Sequence, residues 1–189
     1  ISYNKSRCLK IVFLSRISPM KNLDFLIRAI NKVSSDIELN ILGPKEDLKY
    51  WEKCKNLLQK TPKNIKVIIG EQVLPERVQE TFMKYDLFAF PTRGENFGHV
   101  IPESLSVGTP ILLSDQTPWN HVKSLGIQII PLNENDWTKS IEQWATLSEQ
   151  ERTKRKEASL IYAKKIGEMN QISIIKNKEL FEYKSSCLN

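Results

Sequence analysis

The sequence predicts an α/β fold: a doubly wound parallel sheet of about six strands, helices on both of its faces, and further helices at the C-terminal end. Three observations carry this expectation. Short apolar runs alternate with longer amphipathic stretches as far as about residue 148. Most of those runs are near-continuous in Ile, Val, Leu and Phe, as strands covered on both faces must be. From about residue 149 onward the strand pattern stops and only helical stretches remain.

Taken in order, the candidate strands are 10–15, 38–42, 66–69, 87–91, 111–114 and 127–131. Helical stretches fall between them at about 22–34, 46–60, 75–84, 98–107, 118–124 and 134–146. Strand and helix in strict alternation argue for parallel pairing with crossover helices. Ser148 with Glu151 reads as an N-cap and its capping-box glutamate, opening a helix to about Ile166. A separate helix is expected at about 170–184, after Gly167. Ligands of such sheets sit beyond the carboxyl ends of the strands. Chemistry is therefore sought in the loops after Ser15, Leu42, Ile69, Pro91 and Ser114.

Bulk properties bound the function. A chain of 189 residues, 40% hydrophobic and 26% charged, suits one medium domain with a sizeable core. No apolar run approaches the roughly 20 residues that span a bilayer, and the start lacks a signal-peptide pattern. A start at Ile1 raises the expectation of a segment cut from a longer protein. Cys8, Cys54 and Cys187 are scattered and show no metal-ligand spacing, which favours a reducing cytoplasm over a disulfide scaffold. With His99 and His121 as the only histidines, no metal site is expected. Of the net charge of +6, residues 151–189 carry +4, from nine Lys/Arg against five Asp/Glu. Such a basic tail reads as a solvated helix surface, with peripheral contact to an anionic membrane as a further expectation.

Familiar nucleotide signatures are missing. Neither G-x-G-x-x-G nor G-x-x-x-x-G-K-[ST] occurs, which removes the main support for dinucleotide oxidoreductases and P-loop enzymes. No D-x-D pair is present to hold a diphosphate through a metal. The informative stretch runs from Pro91 to Pro110, through a strand end, a loop, a helix and a Gly-x-Pro stop. Gly98 lets backbone approach a ligand closely. Pro102 is tolerated in a first helical turn, and Gly108 fits a C-cap. A helix beginning near Gly98 would aim free amides and a positive dipole end at the crevice, which suits phosphate without a metal. Glu95 and Glu103, acceptor-only carboxylates, suit the hydroxyls of a hexose and a ribose.

With seven residues between them, Glu95 and Glu103 form a stretch that resembles the E-x7-E motif of retaining GT-B glycosyltransferases, the large family-four group. The apolar strand, the Glu95–Phe97–Gly98 step and Gly108-Thr109-Pro110 stand in that family's order. The first loop, Ser15 to Asn22, resembles the family's G-R-x-x-x-x-K-G diphosphate loop, with Ser15 and Asn22 in place of its glycines. Ser104 replaces the usual alanine after the second glutamate, and Thr117-Pro118-Trp119 stands where many members have a Gly-rich turn. The resemblance covers roughly residues 10–165 and implies the Rossmann-like C-terminal half of a GT-B enzyme.

By that resemblance, Arg16 and Lys21 grip the diphosphate and neutralise it as it leaves. Glu95 with the backbone of Phe97, Gly98 and His99 holds the donor sugar, Glu103 takes the ribose, and the base rests near 70–74. The implied partners are a nucleotide-sugar donor, a glycan or lipid-linked acceptor and an N-terminal acceptor domain; neither cofactor, metal nor nucleic acid is implied. Such a domain alone is expected to bind donor without turnover, with 170–184 ordered by that missing partner. Trp119, Trp137, Trp144 and His121 read as structural. A nucleotide-sugar epimerase on the same scaffold and a non-catalytic basic module for polyanions are the alternatives.

Overall fold

The computed structural model describes residues 8–186, with side chains described through residue 168. Six strands form one parallel sheet: β1 (Leu9–Leu14), β2 (Ile37–Leu42), β3 (Ile65–Ile69), β4 (Leu87–Phe90), β5 (Ile111–Ser114) and β6 (Ile127–Ile130). Their order is β3-β2-β1-β4-β5-β6, with every pair parallel. The helices are α1 (Leu23–Ile30), α2 (Leu48–Leu58), α3 (Val78–Phe82), α4 (Val100–Ser106), α5 (Glu134–Thr146) and α6 (Glu149–Ser186).

Alternating side chains of the central strands feed two cores. Leu9, Ile11 and Phe13 of β1, Leu87 and Ala89 of β4, and Leu112 of β5 pack under α1, α2 and α5. Val12, Phe88, Phe90, Ile111 and Leu113 point the other way and pack under α3, α4 and α6. This two-sided burial is why the strands read as unbroken apolar runs. On the first face Phe25 meets Trp137 edge-on at 5.6 Å, and the Trp144 indole donates to Gln128 at 2.8 Å. Asp24, buried among α1 and α2, accepts hydrogen bonds from Tyr50 at 2.5 Å, Lys53 at 2.6 Å and Arg28 at 2.9 Å. Burial alone would raise that carboxyl; the three donors outweigh it and hold it well below the usual range.

The sequence-based element boundaries shift by a few residues, and two assignments change. Residues 118–124 are not a helix. They form consecutive tight turns, Asn120 N–H to Thr117 O at 3.2 Å and Val122 N–H to Trp119 O at 3.0 Å. So short a segment does not offset the cost of nucleating an α-helix. The two trailing helices are one, Glu149–Ser186, running straight through Gly167. A helical glycine costs only about 1 kcal/mol relative to alanine, too little to end a long helix.

The capping box is as expected, with Glu151 Oε2 accepting from Ser148 N–H at 2.9 Å and the Glu151 amide donating to Ser148 Oγ at 3.3 Å. Along its first part, α6 is seated on the second face. Tyr162, Ala163 and Ile166 pack against the core there, whereas Ile161 is 72% exposed. The apolar residues farther along α6, from Ile172 to Phe181, have side chains outside the described residues.

Gly126, just before β6, makes the closest approach to α6. A Cβ there would lie 2.4 Å from Ser159 Oγ and 2.7 Å from Ser159 Cα. Gly167 has nothing within 4 Å of the same construction. Gly126→Ala should therefore destabilise the fold by about 1–3 kcal/mol through overpacking, while Gly167→Ala should stabilise it by up to about 1 kcal/mol. Chemical denaturation of both variants checks the pair. Equal effects would mean that α6 is not held against the sheet at Gly126.

Candidate functional site

The strand order reverses between β1 and β4, so the loops leaving their carboxyl ends diverge and open a crevice there. Such a switch point is where open α/β sheets bind ligands. The loop after β1 lies over the end of β2: Ser15 N–H donates to Leu42 O at 3.1 Å and Ile17 N–H to Pro44 O at 2.8 Å. Gly43, at φ 139°, makes this possible, since a Cβ there would lie 2.0 Å from Ser15 O. The loop ends in a single 3-10 turn, Pro19–Lys21, and then Asn22.

Asn22 has φ 62°, in the left-handed region. Asparagine is the side chain that tolerates this best after glycine, so replacement of the family's glycine keeps a glycine-like turn. It also adds bonds a glycine lacks. The buried amide donates to Pro91 O at 3.1 Å, and its carbonyl accepts from Arg93 Nε at 3.1 Å. Arg93 N–H in turn donates to Met20 O at 2.8 Å. The loops after β1 and β4 are thereby tied together.

At the centre of this tie, the Lys21 ammonium is ion-paired with the Glu95 carboxylate. Their side chains are only 9% and 13% exposed, and Lys21 Nζ lies 5.5 Å from the Phe90 ring centroid. The sequence placed both residues in the site; the structure brings them into contact. Arg16 is arranged differently. Its side chain is 60% exposed and pairs with Glu46 at 2.6 Å. It lines a cavity of about 230 Å³ together with Ser15, Gly43, Pro44, Gln72 and Val73. Two residues of the 70–74 loop thus face the same space as Arg16.

Beyond Glu95, the chain turns at Gly98, with φ 74°, and enters α4 at Val100. His99 occupies the N-cap without a side-chain cap bond, and its exposed ring lies 4.9 Å from that of Phe97. Glu103 lies in the first turn and is half-buried. Among the described residues its carboxylate has no hydrogen-bond or ion-pair partner. Burial pushes that carboxyl above its ordinary value, with His99 pulling it back.

The end of α4 is a Schellman cap: Gly108, at φ 78°, donates to Leu105 O at 3.0 Å, and Thr109 N–H to Ser104 O at 3.0 Å. Ser104, the departure from alanine, is fully buried and donates to Thr109 O at 2.8 Å, so its hydroxyl serves the same cap.

Trp119 is the contributor that sequence reasoning set aside as a packing residue. It is 8% exposed, as a core residue would be, and its indole also donates to Phe97 O at 2.7 Å. Asn22 and Arg93 were likewise not assigned roles. Their bonds run between elements about 70 residues apart, and no local pattern signals them. His121, read as structural, is exposed. Among the described residues no three His, Cys, Asp or Glu side chains gather in a metal-binding group, and no helix is long and apolar enough to cross a membrane.

Known proteins resemble this chain in sequence and in fold. The family model described as "Glycosyl transferases group 1" matches residues 4–165. D-inositol 3-phosphate glycosyltransferase of Rhodococcus erythropolis is 31% identical over 112 residues, 56% of this chain and 25% of that protein. A probable sucrose-phosphate synthase of Thermosipho melanesiensis is 29% identical over 108 residues, 55% of this chain and 26% of that protein. These matches thus span about a quarter of each relative's length. The catalytic domain of cholesterol-α-glucosyltransferase from Helicobacter pylori shares the fold, with a TM-score of 0.71, 22% identity, and coverage of 85% of this chain and 99% of that one. Anabaena HepE, crystallised with UDP-glucose, gives a TM-score of 0.75 at 16% identity, covering 91% of this chain and 49% of that one.

The raised Glu103 carboxyl has a consequence for stability. An acid whose folded value exceeds its unfolded one contributes fully below the unfolded value, about pH 4, and that contribution is lost as pH rises through the folded value. Glu103→Gln should therefore unfold at a higher temperature than wild type at pH 7, with the difference closing near pH 4. Thermal unfolding at the two pH values checks this, and a less stable variant at pH 7 would contradict it.

Proposed function

The chain belongs to the group 1 glycosyltransferases, and from that premise we propose that its crevice binds a nucleoside-diphosphate sugar, whose hexosyl group the whole enzyme transfers to an acceptor hydroxyl with retention. The observation that carries this reading is the buried Lys21–Glu95 pair, which joins the two loops at the switch point of the sheet. A lysine ammonium has three donors. It can keep Glu95 and still offer N–H groups to a phosphate oxygen. Arg16, exposed beside the cavity of the 70–74 loop, is free to swing from Glu46 to the diphosphate. The pair it leaves is a surface one, worth about 0–1 kcal/mol.

The remaining groups divide by chemistry. Glu95 and the amides of Phe97, Gly98 and His99 take the sugar. Glu103, a half-buried carboxylate with unused acceptor sites, takes the ribose hydroxyls. In the transfer step the bond from the anomeric carbon to the diphosphate breaks, leaving an oxocarbenium-like sugar and a diphosphate anion. Stabilising that anion is the main work of such a site. Charge-assisted bonds from Arg16 and Lys21 each contribute about 1.5–3 kcal/mol to it, and the scheme uses no metal. The acceptor hydroxyl, on a glycan or a lipid-linked glycan, would be presented by an N-terminal domain across the crevice; its oxygen bonds to the anomeric carbon and its proton passes to an oxygen of the departing diphosphate. The UDP-glucose in the HepE crystals supports a nucleotide-sugar donor.

A thermal-shift panel of UDP-, GDP- and ADP-sugars, run once with a divalent cation and once in excess EDTA, tests the reading. Donor at 100 times its dissociation constant stabilises by about 2.7 kcal/mol, a shift of several degrees. At least one sugar nucleotide should give it. No shift with any of them would refute donor binding, and a shift abolished by EDTA would refute the metal-free scheme.

A further inference from the structure

We infer that Trp119 is a positioning residue for the donor sugar: its indole N–H fixes the Phe97–Gly98 peptide and so directs the Gly98 amide at the sugar. This rests on the function proposed above. The bond from Trp119 Nε1 to Phe97 O is 2.7 Å long, at the short end for an N–H donor to a carbonyl. The Trp119 ring also meets that of Phe97 edge-on at 5.9 Å. Trp119 is itself firmly held. It is 8% exposed, its amide donates to the buried Thr117 hydroxyl at 3.3 Å, and its carbonyl accepts from Val122 N–H at 3.0 Å.

The loop it grips is fixed on either side, by the Lys21 pair at Glu95 and by Ile101 N–H donating to Gly98 O at 2.8 Å. Between them Asn96 is exposed and Phe97 is 44% exposed, so burial does not fix the Phe97 carbonyl. A phenylalanine at 119 could supply the ring contact. What the indole adds is a directional bond to one peptide.

Peptide geometry then gives that bond its consequence. No described peptide bond is cis. In a trans peptide the carbonyl of Phe97 and the N–H of Gly98 point in opposite directions across one rigid plane. Holding the carbonyl toward Trp119 therefore turns the Gly98 N–H away from it. Gly98 is buried, and among the described residues its amide donates to no protein acceptor. Buried backbone amides are nearly always paired, and a sugar oxygen is the acceptor that the proposed function supplies. On the same residue, a Cβ would lie 3.5 Å from Glu95 Cγ, so this amide belongs to the immediate surroundings of Glu95.

The test separates sugar from nucleotide. Calorimetric titration of the 189-residue chain with UDP-glucose, GDP-mannose and ADP-glucose, each beside UDP, GDP or ADP, is run on wild type and Trp119→Phe. For the donor that wild type binds, Trp119→Phe should weaken the sugar nucleotide about 3- to 10-fold and leave its diphosphate within about twofold. A merely structural role would lower both affinities together, and that result, or no change in either, would overturn the inference. Replacing Trp119 by its benzothiophene analogue, with sulfur for the N–H, keeps the ring shape and should give the same split even if Trp119→Phe does not fold. If wild type binds none of the six compounds, the proposed function falls and this role with it.

Discussion

A lysine and a glutamate buried against each other at the mouth of a parallel sheet constrain everything around them. Neither Lys21 nor Glu95 tolerates burial alone, because an isolated charge in such a place is destabilising by several kcal/mol. Their contact therefore requires that the loop after β1 and the loop after β4 keep one relative position. Asn22 enforces that position from the side, with a left-handed backbone that turns the first loop into α1 and a side chain that bonds to both Pro91 and Arg93. The crevice is thus preorganised by polar contacts rather than by an apolar plug. This suits a site that must accept an anion and a polyhydroxylated ring.

The scaffold beneath supplies rigidity of another kind. Both faces of the sheet are covered, so the ends of β1 and β4 cannot shift without disturbing two cores. The second core also includes Trp119, which links the packing under α4 and α6 to the backbone of the Glu95–Gly98 loop. On that face α6 is locked by the close contact at Gly126 and by Leu160 over the glycine that caps α4. Charge, cap and core converge on one short segment, from Glu95 to Gly108.

Much of this was legible in the sequence, for identifiable reasons. The six strands stood out because two-sided burial leaves unbroken apolar runs, and the 95–108 segment did because its glutamates and Gly-x-Pro stop resemble a known family's motif. Residues 118–124 read wrongly as a helix because Trp119 and Val122 share helical spacing, yet the i to i+3 turns that bury them serve the same spacing. Gly167 was read as a break, whereas a single helical glycine is too weak a signal to end α6. Least legible were the partners. That Arg16 pairs with Glu46, that Lys21 is buried with Glu95, and that Trp119 donates to Phe97 are facts of tertiary approach. Residue type alone predicts a charge or an aromatic there, not what it touches.

The central claim is that Lys21 and Glu95 act on the donor as one unit across two loops. A double-mutant cycle measures this directly, with the affinity for the bound sugar nucleotide determined by calorimetry for wild type, Lys21→Met, Glu95→Gln and the double variant. Residues in direct ionic contact couple by about 0.5–3 kcal/mol, whereas independent sites add within about 0.5 kcal/mol. The account predicts a coupling of at least about 1 kcal/mol, with the double variant losing less affinity than the sum of the single losses. Additive losses would show that the two residues serve separate sites and would contradict it.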